Sequence, residues 1–261
     1  MRDDLGDRMK AYERQETGRL FLPMLPVYAR IDGKGFSRLT KGMDKPFDAR
    51  MSAAMVETTK YLVDKTHAVI GYTQSDEISL TWLAKDYTDS IFFDGKITKM
   101  TSVLAAMATA AFTRAIRGWE PFEDRYPTFD ARVLQLPKPY EVANMFFWRV
   151  LDAERNAVSM ACRHHHSAKE MHQKNVPTMI DMLAQKDVDF EAYPDAFRRG
   201  TWVRKEAVKR RLSADERLRI PASKQPPEDA IITRNEMKTF HTGRDDNWLV
   251  RTPGFIFGDL V

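Results

Sequence analysis

Between residues 27 and 136 the spacing of apolar side chains changes period several times, and that alternation restricts the chain to few folds. Residues 27–31 follow two prolines, are rich in β-formers and run straight into Asp32-Gly33-Lys34-Gly35, where glycine supplies the freedom a tight loop needs. From Asp48 onward Met51, Met55, Thr58 and Leu62 recur at helical spacing. This predicts a helix to about Thr66, with Asp48 or alternatively Asp44 at its N-cap. Residues 69–83 return to a period of two, with Ile70 and Tyr72 on one arm and Ile78, Leu80 and Trp82 on the other. The polar tetrad Gln74-Ser75-Asp76-Glu77 between them reads as the tip of a β-hairpin. Met100, Val103, Leu104, Met107, Ala111 and Ala115 then form one helical stripe, closing near Gly118. A short strand over 131–136 and a helix over 139–162 follow.

The order strand, helix, strand, strand, helix, strand is that of the ferredoxin-like split βαβ motif. It predicts an α+β fold whose antiparallel sheet carries two helices on one face. The first strand of such a sheet lies beside the hairpin. The loop after Ile31 and the tip at Ser75-Asp76 are therefore expected to meet at one edge. The second half is punctuated by Tyr193-Pro194, Ile220-Pro221 and Pro226-Pro227 and shows no repeat. The expected organisation is a catalytic unit over 1–137, then a helical extension and a smaller basic, partly helical lobe over 138–261. The two are expected to pack as one unit, with a flexible segment near 221–228.

A length of 261 residues with 43% hydrophobic and 11% aromatic side chains supplies a sizeable core and excludes global disorder. The 41 basic and 37 acidic residues leave a net +4, which permits a polyanionic partner without demanding one. A single cysteine, Cys162, leaves no intrachain disulfide and no Cys-rich zinc site, and fits a reducing, cytoplasmic setting. Asp3, Asp4 and Asp7 argue against a signal or transit peptide at the start. The most apolar stretch, 103–112, falls far short of the ~20 residues that span a bilayer, so no membrane partner is expected.

Asp32 and Asp76 are 44 residues apart, yet the predicted topology brings them together. Two neighbouring carboxylates repel, and a hard divalent ion is the natural compensation. Magnesium takes oxygen ligands and commonly only one or two carboxylates, which leaves positions for phosphate oxygens. The Gly33 carbonyl could add another ligand. On pattern alone, both segments are also ordinary turn chemistry. Residues 33–37, Gly-Lys-Gly-Phe-Ser, offer backbone N–H groups and a lysine suited to phosphates but lack the Walker spacing. Lys45, Lys96 and Lys99 add positive charge near the same edge. His164, His165 and His166 point ~100° apart on a helix, so they cannot converge on one ion and read as a helix end. The run 197–211 holds Arg198, Arg199, Arg204, Lys205, Lys209, Arg210 and Arg211 around Trp202. It reads either as a solvated face or as an RNA-backbone surface with an aromatic for stacking.

Three segments stand together in order and spacing: Arg30-Ile31-Asp32-Gly33-Lys34-Gly35-Phe36-Ser37-Arg38, Lys45-Pro46-Phe47-Asp48, and Tyr72-Thr73-Gln74-Ser75-Asp76-Glu77-Ile78-Ser79. Jointly they resemble the tRNA-histidine guanylyltransferase family, including its bacterial and archaeal guanylyltransferase-like branch. The resemblance extends through Phe92-Phe93 to Lys99, residues 129–133, Trp148-Arg149 with Asp152 and Asn156, and Arg199-Gly200-Thr201. It covers roughly residues 5–205, and the tail matches poorly.

The resemblance implies a polymerase-like palm domain that adds nucleotides to the 5′ end of tRNA in the 3′-to-5′ direction. Two Mg2+ ions would be held by Asp32, Gly33 and Asp76, with ATP, GTP or other nucleoside triphosphates as substrates and a homotetramer as the assembly. Asp32, Gly33, Lys34, Gly35, Phe36, Ser37, Ser75, Asp76 and Lys99 would surround the nucleotide, with Lys45 catalytic beside the two aspartates. Glu77 belongs to the motif and receives no role from it. The enzymes dedicated to tRNA-histidine carry a His-Ile-Asn-Asn segment where this chain has Glu154-Arg155-Asn156-Ala157. The missing histidine favours the branch that repairs truncated 5′ ends by templated addition. Strict guanylyl addition, a nucleotide cyclase and a non-catalytic RNA-binding palm are the alternatives.

Overall fold

A computed structural model describes residues 4–261. The apolar alternation of the first half becomes β1 (Val27–Gly33), α3 (Ala49–Thr66), β2 (Ile70–Gln74), β3 (Glu77–Trp82), α4 (Ile97–Ala115), β4 (Phe129–Gln135) and α5 (Pro139–His165). To these are added α1 (Asp4–Thr17), which the sequence reading did not foresee, and the one-turn α2 (Phe36–Leu39) after the glycine loop. The second half runs through α6 (Ala168–Met171), α7 (Val176–Ala184), α8 (Asp195–Arg199), β5 (Thr201–Arg210), α9 (Ala214–Leu218), β6 (Ile232–Phe240), α10 (Asn247–Val250) and α11 (Pro253–Phe257). Asp48, not Asp44, caps α3: its carboxylate accepts the Arg50 N–H at 2.9 Å and the Asp44 N–H at 3.2 Å. Among the described residues no helix is long and apolar enough to cross a membrane.

The six strands form one sheet in the order β4-β1-β3-β2-β5-β6, every pair antiparallel. Its first four strands have the ferredoxin-like arrangement. β1 lies between β3 and β4, with Asp32 opposite Glu77 on one side and Asp130 on the other. Alternation sends Val27, Ala29 and Ile31 to the face covered by α3 and α4, together with Ile78, Leu80, Leu62, Leu104 and Phe112. It sends Tyr28, Tyr72 and Trp202 to the other face, where Val142, Phe146 and Val150 of α5 and Phe255 of α11 enclose them. The sheet is thus covered on both faces, whereas the split βαβ order predicts two helices on one. The physical reason is that two tyrosines and a tryptophan need cover, and the apolar stripe of α5 provides it. Both buried hydroxyls are satisfied: Tyr28 bonds Ser79 at 2.6 Å, and Tyr72 donates to the Arg199 carbonyl at 2.7 Å.

Farther along α5, Ala157, Val158, Ala161 and the buried Cys162 pack against Met179, Leu183, Phe190 and Phe197. β5 pairs with β2 only over residues 201–203. From Arg204 on it pairs with β6 alone, as a two-stranded ribbon. Because β5 runs antiparallel to β2, the ribbon leads away from the Ser75-Asp76 tip.

Candidate active site

The geometry of the site begins with the backbone. Gly33 donates its N–H to the Asp76 carbonyl at 3.0 Å, which pins the end of β1 to the β2–β3 turn. Asp32, Gly33 and Asp76 are thereby neighbours, as the topology predicts. A Cβ on Gly33 would lie 2.4 Å from the Phe36 ring, and Phe36 is itself fixed against Phe112 and Phe129 at 5.3 and 5.0 Å. Only glycine lets the ring close over the loop. Gly35 has φ 71°, a left-handed conformation that turns the chain into α2. Ser75 also has a positive φ, of 54°, uncommon for a residue with a Cβ and a feature that concentrates at functional turns.

The hairpin tip divides two cavities. On the α2–α3 side a cavity of about 570 Å3 has a mainly apolar wall that includes Met43, Phe47, Met51, Met55, Met160 and Phe197. Phe36, Ser37, Lys45, Ser75 and Asp76 also face it. Its volume is within the range of small-molecule sites, ~300–1,000 Å3. On the α5 side a polar cleft of about 370 Å3 is lined by Asp32, Gln74, Glu77, Arg149, Asn156 and Ser159. Gln74, Ser75, Asp76, Met160 and Arg163 line both.

Burial raises the Asp76 carboxyl above the ordinary carboxylate range, and the charge of Asp32 adds to the effect, partly offset by hydrogen bonds. The pair therefore favours a compensating cation. Among the described residues no cluster of three or more His, Cys, Asp or Glu side chains is placed to hold a metal. Two carboxylates and a carbonyl make an all-oxygen donor set, which suits a hard ion that also binds phosphate and water. Glu77 is engaged elsewhere. Arg149 grips its two oxygens at 2.6 and 2.9 Å, and Arg30 lies 3.6 Å away, while burial raises its carboxyl against these cations. The third acid of the motif is thus neutralised by arginine and ties the sheet to α5, where Arg149 also meets Asp152 at 2.9 Å.

Not every anticipated residue reaches this place. Lys34 and Gly35 are exposed on the loop but outside both cavity walls. Lys99 projects from the first turns of α4 with its Nζ 4.8 Å from the centre of the Phe93 ring. The basic run is dispersed. Arg199 is 3% exposed and donates to the Thr242 carbonyl, Glu154 and Asn247, so it is not part of an RNA surface. Trp202 is fully buried and offers no ring for stacking. Arg198 is held by Glu191 and Asp195, and Arg204 lies over Phe240 at 4.7 Å. Lys205 pairs with Asp64, and Arg210 with Glu216 and Glu236. Lys209 stays exposed. At ~3.3 Å per residue it lies roughly 25 Å along the ribbon from Thr201, beside the site.

The histidines do not converge: His166 bonds the Met182 carbonyl at 3.1 Å, and His164 faces the larger cavity with Arg163. Arg163 and His164 are cavity residues that the sequence motifs do not single out for the site. The available signal was their spacing from Asn156 and Met160, which puts them on one face of the helix.

A family model described as Thg1, tRNAHis guanylyltransferase, matches residues 6–137, just over half of the chain. A bacterial tRNA(His) guanylyltransferase (Thg1)-like protein, solved in complex with ATP, is 37% identical at a TM-score of 0.72 over 78% of this chain and 87% of that one. Another such bacterial structure, in complex with GTP, is 32% identical at a TM-score of 0.75 over 98% and 100%. The tRNA(His) guanylyltransferase of Schizosaccharomyces pombe is 29% identical over 155 residues, which is 57% of this chain and only 56% of that enzyme. The chain belongs to the tRNAHis guanylyltransferase (Thg1) family and is a nucleotidyltransferase.

Proposed function

We propose that the chain adds nucleotides to the 5′ end of tRNA in the 3′-to-5′ direction, as a magnesium-dependent enzyme of templated 5′-end repair in the cytoplasm. The observation that carries this reading is the junction of Asp32, Gly33 and Asp76 between an apolar cavity and a polar cleft that share the hairpin tip. Asp76 faces both spaces and Asp32 the polar cleft, so two reactants can meet at these carboxylates. The apolar cavity takes a nucleoside triphosphate, its base among methionine and phenylalanine side chains and its phosphates toward Ser37, Lys45 and Ser75. The bacterial structures with ATP and GTP support triphosphate substrates. The 5′-monophosphate attacks the α-phosphorus of one triphosphate and expels pyrophosphate. The 3′-hydroxyl of the incoming nucleotide then attacks the activated 5′-phosphorus, loses its proton and expels the nucleoside monophosphate. Asp32, Asp76 and the Gly33 carbonyl would hold Mg2+, which when bound supplies charge stabilisation for an in-line displacement at phosphorus. Little covalent work by side chains is then needed, and the chain's own contribution is placement.

Glu154 supports repair over strict tRNA-histidine addition. It stands where the dedicated enzymes carry histidine, and its oxygens are bound by Arg199 at 2.7 Å and Arg244 at 2.5 Å. An acid so engaged cannot reproduce an anticodon contact. The exposed ribbon lysine Lys209 favours contact with the RNA backbone away from the reacting end. Self-association, in this reading as a homotetramer, is supported by α1, a helix with no buried side chain that leaves Leu5 and Tyr12 exposed. The test is incubation of 5′-monophosphorylated tRNAs lacking their first nucleotide with ATP and each triphosphate, with the opposing base swapped. Addition to several tRNAs following that base is expected. Activity confined to a histidine anticodon, or guanosine addition whatever the opposing base, would overturn the repair reading.

A further inference from the structure

Residues 117–128 make an excursion between α4 and β4 to which the proposed chemistry gives no role. Its Phe122 is 5% exposed, and two guanidinium groups approach the ring, with Arg50 Cζ 5.7 Å and Arg125 Cζ 4.5 Å from its centre. Arg50 is bound to the Asp48 carboxylate in the wall of the large cavity. Arg125 Nη1 donates to the Leu39 carbonyl and to that of Lys41 at 2.9 Å, with the Arg38 carbonyl at 3.5 Å. These carbonyls lie at and just beyond the C-terminal end of α2, the single turn that follows Gly35 and carries Phe36 and Ser37 into the cavity wall. The same excursion holds the loop's other end, where the Thr128 carbonyl accepts the Lys34 N–H at 2.8 Å.

A helix of one turn does not persist unaided, because nucleation is unfavourable and its last carbonyls lack partners. A cation at that end supplies the partners and complements the helix dipole. We propose that Arg125 is a positioning residue for nucleotide binding: it caps α2 so that Phe36 and Ser37, in the cavity wall, are held ready for the triphosphate before substrate arrives. The inference rests on the reading that this loop binds a nucleoside triphosphate. Pre-ordering the loop removes a cost that would otherwise be charged against binding. Arginine suits this position, since its guanidinium lies over the Phe122 ring while one nitrogen, Nη1, donates to the carbonyls, and lysine can keep the charge but not the planar head over the ring.

The experiment compares wild type, Arg125→Gln and Arg125→Lys in three measurements. These are ATP and GTP affinity by calorimetry, addition kinetics on a 5′-truncated tRNA, and amide exchange at residues 38–43. Arg125→Gln is expected to raise the triphosphate Kd and KM by about tenfold, with kcat at saturation and tRNA affinity little changed. Exchange at 38–43 should rise in the free protein and fall again when ATP saturates it. Arg125→Lys should recover part of the affinity. A wild type that binds neither triphosphate overturns the proposed function itself. If wild type binds and Arg125→Gln binds equally well, only the role of Arg125 falls. It falls too if exchange rises throughout the core, or if kcat and tRNA affinity drop along with nucleotide affinity.

Discussion

Replacing Arg199 by alanine separates a structural arginine from an RNA-binding one. Its guanidinium donates through Nε to the Thr242 carbonyl at 2.9 Å, through Nη1 to Glu154 at 2.7 Å and through Nη2 to Asn247 at 2.6 Å. One side chain thus joins the end of α8 to α5 and to the C-terminal segment. Truncation leaves Glu154, with a side chain 15% exposed, only Arg244 for a partner. Breaking a buried pair by removing one member costs ~3–5 kcal/mol. At ~2–4 °C per kcal/mol for a chain of this size, Arg199→Ala should lower Tm by roughly 10 °C. The assay is thermal denaturation by circular dichroism, paired with tRNA affinity measured across salt concentrations. The log-log salt slope should not change, because the side chain reaches no phosphate. Lys209→Ala should do the reverse, lowering the slope by ~0.7–0.9 per lost phosphate contact while stability stays within ~0.5 kcal/mol. An unchanged Tm with a reduced slope in Arg199→Ala would refute the burial argument.

Asp32→Ala and Asp76→Ala should each lower nucleotide addition by on the order of 10²–10³ through loss of at least ~3 kcal/mol of transition-state stabilisation; near wild-type rates for Asp76→Ala would displace the site. Lys45→Ala should weaken activation or addition while tRNA affinity holds, and equal loss of tRNA affinity with intact chemistry would contradict its assignment to the triphosphate. The Arg50 guanidinium holds the Asp48 carboxyl down at about 2, below its ordinary 3.8. A folded value depressed in this way contributes stability above 3.8 that is lost as pH falls toward 2, so urea midpoints of Asp48→Asn should lie below wild type at neutral pH and converge with it in acid.

What the sequence by itself determined is written in short-range spacing. The period of two in 70–82 and the helical period in 51–62 each repeat within a few residues, and a chain that alternates them in this order has one common way to fold. That order carried Asp32 to Asp76 across 44 residues, because strand pairing transmits a local pattern into a long-range contact. The triad of Asp32, Gly33 and Asp76 was legible for that reason, and so was the Asp48 cap. What only the tertiary structure decided is where charge and aromatic surface are hidden. Arg199 and Lys209 look alike in the run 197–211, yet one is enclosed by partners 43 to 48 residues away and the other faces water. Trp202 is core because α5 and α11 close over it, which nothing within a few residues of position 202 encodes. Arg125 caps a helix 86 residues earlier in the chain for the same reason. A side chain's environment is set by whichever segment packs against it, and the desolvation that decides a charge's role appears only once that segment is in place.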